Sequence, residues 1–184
     1  MAIKIFSELT NGMFKRLEIF GWENFYTKEQ RTPEHLAKEQ EKFYSKPKTW
    51  ILAFEKEQII GRILLHKRII RFNERDIILG GIGGVCIRRD KRNQGIATKM
   101  LELAMKILTK WDCDIAYLCA DIEKTGALYE KVGFVPLNRP YTFYGQSRRL
   151  HEQNNGMIAP INSRKIFNRV LRSRKKLHLG NGNW

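Results

Sequence analysis

No apolar run in this chain approaches the roughly 20 residues that a membrane-spanning helix needs, and Met1 to Lys15 lacks the apolar core of a secretory signal. Cysteine is scarce: Cys86, Cys113 and Cys119 make an odd count with no Cys-x-x-Cys pair. That argues against a disulfide framework and a structural zinc site, gives no reason to expect a metal, and suggests a reducing, cytoplasmic setting. No glycine run ends in Gly-Lys-Ser/Thr, so there is no Walker loop. Gly80, Gly81, Gly83 and Gly84 lie before the turn rather than in it, which also removes the dinucleotide fingerprint. Acidic residues are the scarcer charge, 19 Asp/Glu against 34 Lys/Arg, leaving a net charge of +15. From Gly145 to Trp184 nine Lys/Arg face one acid, Glu152, a local excess of +8. Such an excess attracts polyanions. No recognised nucleic-acid motif accompanies it, so a solvated basic face is the favoured reading and nucleic acid the alternative partner.

What remains is the profile of a soluble globular protein. With 184 residues, 42% hydrophobic and 29% charged, the chain reads as one α/β domain able to bury a core without staples. A short strand is expected at Ala2 to Phe6 and a helix near Met13 to Phe20. Thr32-Pro33 is a good cap and first-turn pair for a second helix reaching about Tyr44. Thr49 to Glu55 and Gln58 to His66 look like a hairpin turning at Lys56-Glu57, its second arm continuing to Phe72. Asn73 to Asp76 makes the next turn, and a strand follows from Ile77 to Ile87. Ile115 to Ala120, Phe134 to Leu137 and about Gly156 to Ile161 read as further strands. Glu123 to Val132 and Ser163 to Ser173 read as helices.

The chain is organised around Gly80 to Trp111. A glycine-punctuated, β-branched run gives way at Arg88 to a basic bend, and Gly95 opens an amphipathic segment. Ile96, Met100, Leu103, Ala104, Ile107 and Leu108 lie on one face of that helix. The bend offers Arg92, Asn93, Gln94, Gly95, Ile96 and Ala97. Orphan amides at a helix start, with the positive end of the dipole, form an anion site. Gly95 lets a phosphate approach the main chain closely, and Arg88, Arg89, Lys91 and Arg92 add positive potential.

These residues carry a resemblance. Arg92-x-x-Gly95-x-Ala97 is similar to the pyrophosphate-binding signature of the GNAT superfamily of acyl-CoA-dependent N-acyltransferases. Leu128-Tyr129-Glu130-Lys131-Val132-Gly133-Phe134 resembles its second hallmark. The resemblance covers roughly residues 50 to 140. It implies a GNAT fold: a central mixed sheet with a splayed strand pair, flanked by helices. It also implies acetyl-CoA as acyl donor and coenzyme A as product. Residues 1–48 would be the acceptor-side helical region and 140–184 a basic C-terminal extension of the single domain, 1–184.

By the same resemblance, the Val85 N–H would polarise the thioester carbonyl, and Val85 and Ile87 would pair with the pantetheine arm. Tyr129 would be the general acid. A phenol with a pKa of about 10 is protonated at neutral pH and can donate. The base is left open, because Gly83 stands where family members often carry a glutamate. Asp121, Glu123, His66 and the terminal carboxylate are the alternatives. A stretch from Ile82 to Arg92 and an ending in Gly-Asn-Gly-Asn-Trp184 are similar to the aminoglycoside 2'-N-acetyltransferase branch, which would connect the chain to antibiotic resistance. On that reading Gly83, Asp121 and Trp184 border the substrate. The expected activity is direct acetyl transfer to the primary amine of a small molecule, by a monomer or homodimer. A basic RNA- or ribosome-associated protein that retains a coenzyme A pocket is the alternative.

Overall fold

The computed structural model describes residues 1–184. In chain order the elements are β1 (Ala2–Phe6), α1 (Asn11–Phe25), α2 (Pro33–Lys42), β2 (Thr49–Glu55), β3 (Gln58–Phe72) and β4 (Arg75–Ile87). Then come α3 (Ile96–Lys110), β5 (Ile115–Cys119), α4 (Ile122–Glu130) and β6 (Val135–Pro136). The chain closes with β7 (Tyr141–Tyr144), β8 (Leu150–Gln153), β9 (Gly156–Pro160), α5 (Arg164–Arg172) and β10 (Leu177–Asn181). Local chemistry sets many of the ends. Thr10, Thr32 and Ser163 each accept an amide hydrogen bond at a helix start, worth about 1 kcal/mol apiece. Both meander turns, Lys56-Glu57 and Asn73-Glu74, hold their two residues at positive φ, the hand that matches strand twist.

A seven-stranded sheet runs in the order β1-β2-β3-β4-β5-β9-β6. Every neighbouring pair is antiparallel except β4 and β5, so the sheet is mixed. On one face, α3 buries Met100, Leu101, Ala104 and Leu108 against Ile51, Ile63, Leu65 and Ile82. The opposite face is covered in two parts. Leu17 and Phe20 of α1 pack on Trp50, Leu52, Ile59 and Cys86. Phe167 and Val170 of α5 join Tyr141, Phe143, Leu177 and Leu179 over Ile77, Leu79 and Ile158.

That second layer contains what the sequence analysis lacks, a three-stranded sheet in the order β10-β7-β8. Its strands have only four or five residues each, too short to show a hydrophobic period of their own. Residues 140–184 are therefore woven into the body: they supply β9 to the main sheet, all three strands of the small one and the buried Trp184. Two boundaries also move. α1 runs on to Phe25 and β4 starts at Arg75. No helix is long and apolar enough to cross a membrane.

Gly80 lies directly beneath the Leu108 side chain, with no room for a Cβ between them. Leu108→Ala is expected to open a cavity there and cost about 2–5 kcal/mol. Urea unfolding checks this, as a lowered midpoint with an unchanged slope.

Candidate active site

Strands β4 and β5 share only three register pairs, Leu79–Ile115, Gly80–Ala116 and Gly81–Tyr117. β4 then continues to Ile87 and β5 to Cys119 without pairing to each other. This is the expected splayed pair, and it leaves the edge of β4 from Ile82 to Ile87 open. On its other side β4 carries a bulge. Between Gly83, opposite Leu64, and Cys86, opposite Arg62, the β4 strand has one residue more than β3, so Gly84 and Val85 have no register partners. Gly84 sits at φ +57, and a Cβ there would meet Leu64 at 2.7 Å, so glycine is what the bulge requires.

Beyond Ile87 the chain turns into α3. Asn93 has φ 61 and Gly95 φ 75, and the amides from Asn93 to Thr98 find no backbone acceptor. Nothing lies within 4 Å of where a Gly95 Cβ would stand. A run of unsatisfied donors facing open space at a helix start fits a diphosphate. The basic side chains also have a structural task. The Nε of Arg92 donates to Ile87 O (3.1 Å) and its Nη2 to Asn24 O (2.8 Å), so the guanidinium braces the loop beside the run of free amides. Arg89 donates to Tyr26 O (3.0 Å). Arg88 pairs with Asp90 (2.7 Å) and Lys91 with Glu55 (2.6 Å).

Tyr129, near the end of α4, is buried at 7% exposure. Burial pushes its phenol up to about 12, with the Cys119 and Cys86 thiols adding to the shift. The ring is buried in the core cluster that also holds Ile82 and Ile87 of β4 and Leu118 of β5, and it is protonated at neutral pH. Burial also pushes Cys86 up to about 11 and Cys119 up to about 12, so both are thiols rather than nucleophilic thiolates.

Trp184 fills the sheet face beside the gap. A Cβ on Gly81 would overlap its indole, and one on Gly83 would lie 2.9 Å from its main-chain carbonyl carbon. The indole stacks on His66 (5.2 Å between centroids, 11°), and Arg68 lies over it at 4.4 Å. Arg68 also donates to the carbonyls of Leu179, Asn181 and Gly182 and to Ser45 Oγ. Asn183, wholly buried, binds Tyr117, Tyr141, Gln153 and Cys119. Gly83 and Trp184 are therefore brought together, but Asp121 is directed elsewhere. It caps α4 through Lys124 N (3.3 Å) and pairs with Lys124 Nζ (2.8 Å). Glu39, in the acceptor-side helical region, was missed in the sequence. Tyr26 OH donates to Glu39 Oε2 at 3.4 Å. The i, i+4 spacing of His35 and Glu39 on α2 was the one available signal.

The acetyltransferase (GNAT) domain family matches residues 20–137, and the chain belongs to it. N-alpha-acetyltransferase MAK3 of Arabidopsis thaliana is 28% identical over 103 residues, 55% of this chain and 52% of that protein. N-alpha-acetyltransferase 30 of Saccharomyces cerevisiae is 33% identical over 67 residues, 35% of this chain and 38% of that protein. The chain thus spans about half or less of these relatives. The solved NatC complex bound to Gag peptide and CoA matches with a TM-score of 0.56 at 18% identity, over 87% of this chain and 99% of that one. That likeness is one of fold.

His66 supplies a pH test of the packing around Trp184. Burial, with the Arg68 charge, lowers its pKa from 6.5 to about 4. Between those values the unfolded chain binds a proton that the folded chain refuses. Stability is therefore full above about 6.5 and falls as pH drops towards 4, by about 3 kcal/mol over the whole shift. His66→Phe, which keeps the stacking, is expected to flatten that part of a stability-against-pH curve.

Proposed function

We propose that this chain is an acetyl-CoA-dependent N-acetyltransferase that serves a primary amine by direct attack. The observation that carries this reading is the open edge of β4, with a bulge at Gly84-Val85 and the protonated Tyr129 buried in the same core cluster as residues of β4 and β5. Acetyl-CoA supplies an activated thioester. The amides of Asn93 to Ala97 would hold its diphosphate, and Ile82 to Ile87 would take its amide-bearing arm as an added strand. The Val85 N–H then donates to the thioester oxygen as negative charge grows on it, a fixed dipole that needs no reorganisation. Tyr129 gives its proton to the departing sulfur. With Cys86 and Cys119 held as thiols, no acyl-enzyme is required.

The acceptor we favour is the α-amine of a polypeptide, in keeping with the names of the curated relatives, over a small-molecule amine. An aminoglycoside is the least favoured acceptor. A polycation needs several acids, yet Gly83 and Gly182 carry none and Asp121 is paired with Lys124. One observation supports a second role. Arg164, Lys165, Arg172, Arg174 and Lys175 are exposed and enter no ion pair with an acid. The apolar side of α5 is already buried, so this face has charge to offer but no apolar surface to insert. A polyanion such as RNA fits it.

Calorimetry with coenzyme A tests the main reading, and absence of uptake would end it. Tyr129→Phe is expected to keep acetyl-CoA affinity while kcat falls about 10²-fold or more. For the second role, Lys165→Glu with Arg172→Glu should weaken RNA binding and flatten its salt dependence without altering coenzyme uptake.

A further inference from the structure

No side chain in the gap between β4 and β5 is an acid; the main-chain carbonyl of Trp184 lies there beside Gly83, its oxygen accepting from Cys119 Sγ at 3.2 Å. Gly81 and Gly83 have no side chains, Trp184 fills the space they leave, and His66 is stacked against that indole. Helix α2 is tied to the segments that flank both ends of this gap. Its leading side is tied to the β4 end of the gap: the His35 ring meets Tyr26 edge-on at 5.0 Å, Arg89 binds Tyr26 O, and Arg92 joins Asn24 O to Ile87 O. Its trailing end is tied to the β5 end. Lys42 O accepts from Asn183 N (2.8 Å), and Asn183 Nδ2 reaches Cys119 Sγ (3.5 Å). Glu41 fixes the same end on the β7–β8 turn through Ser147 and His151.

Between the two anchors α2 buries no residue, so it is a cover rather than a part of the core. Glu39 lies midway, half-buried, facing inward onto Tyr26 OH. Unlike Glu41, Glu55, Asp90, Asp121 and Glu152, it enters no ion pair. The Cys119 thiol, raised first by burial, also feels the Glu39 carboxylate, as expected for an acid that overhangs the end of β5.

We propose that Glu39 is the acceptor-side residue of this site, its carboxylate receiving a single ammonium group above the gap and removing the proton that blocks attack. This rests on the transferase reading. The protein carries +15 and repels cations at long range, but charges beyond about 8–10 Å are screened by salt. Groups at contact therefore decide the local field, and Glu39 is the acidic side chain bonded to Tyr26; one carboxylate suits one ammonium. Tyr26 OH, pushed up to about 12 by burial and then by Glu39 itself, stays a donor and fixes the orientation of the carboxylate. The protons balance. The nitrogen gives one to Glu39, which passes it to solvent. The nitrogen bonds the thioester carbon as the C–S bond breaks, and the sulfur takes a proton from Tyr129. The second nitrogen proton leaves as the amide forms and restores Tyr129 through solvent.

The test uses the full chain and its Glu39→Gln variant. Each is loaded with coenzyme A and then titrated, by NMR, with a tripeptide amide bearing a free N-terminus and with the same peptide N-acetylated. Coenzyme A is expected to bind both proteins equally. The wild type should prefer the free amine at least 10-fold, and Glu39→Gln should lose that preference. Equal affinity of the wild type for the two peptides, or a preference retained in Glu39→Gln, overturns the assignment. Failure of the wild type to take up coenzyme A overturns the transferase reading itself, and the assignment with it.

Discussion

The site depends on a refusal of two strands to stay paired. Parallel β4 and β5 hold together through Leu79, Gly80 and Gly81 and then separate. An open edge of unpaired N–H and C=O groups inside a sheet is ordinarily a liability. Here it is protected from both ends, by the Arg92 brace at the end of β4 and by the Asn183 network at the end of β5. The bulge at Gly84-Val85 turns the local twist and frees an amide where a strand continuing in register would have paired it. On the proposed reading, binding and chemistry would draw on one backbone irregularity, with few side chains committed to it.

Charge is arranged in two tiers. The basic residues around the bend hold the loop in shape by pairing with Asp90, Glu55 and main-chain carbonyls, beside the free amides of the helix start. Seven of the nine cations of the last 40 residues lie elsewhere, on α5 and the segment after it, and Arg148 and Arg149 lie in the β7–β8 turn. The excess over the whole chain is therefore a poor guide to the field inside the gap, where Tyr26, Glu39, Tyr129 and two protonated thiols set local conditions.

Much of this was legible in the sequence because it is local. Lys56-Glu57 between two β-branched runs announces its turn, Thr32-Pro33 announces α2, and the change of period at Arg88 marks strand giving way to helix. The cradle and Tyr129 come from two short motifs whose residues are neighbours in the chain. The rest depends on distant partners. Gly83 reads as the place of a missing glutamate, and only the fold shows Trp184, about a hundred positions later, filling the space over it and Gly81. Arg92 reads as a phosphate ligand, and its bond to Asn24 O appears only in the fold. β7, β8 and β10 are too short to announce themselves, and Glu39 sits in a helix so polar that one more charge carries no signal.

The contact of Trp184 with two glycines also restricts how this protein can change. A residue with a Cβ at position 81 collides with an indole, and one at 83 collides with main chain. Neither strand position can acquire a functional group by a single step while the tail stays docked. Positions 81, 83 and 184 are in contact, so the effect of a change at one is expected to depend on the other two. Helix α2 buries no residue, so substitutions on it meet less resistance from the core.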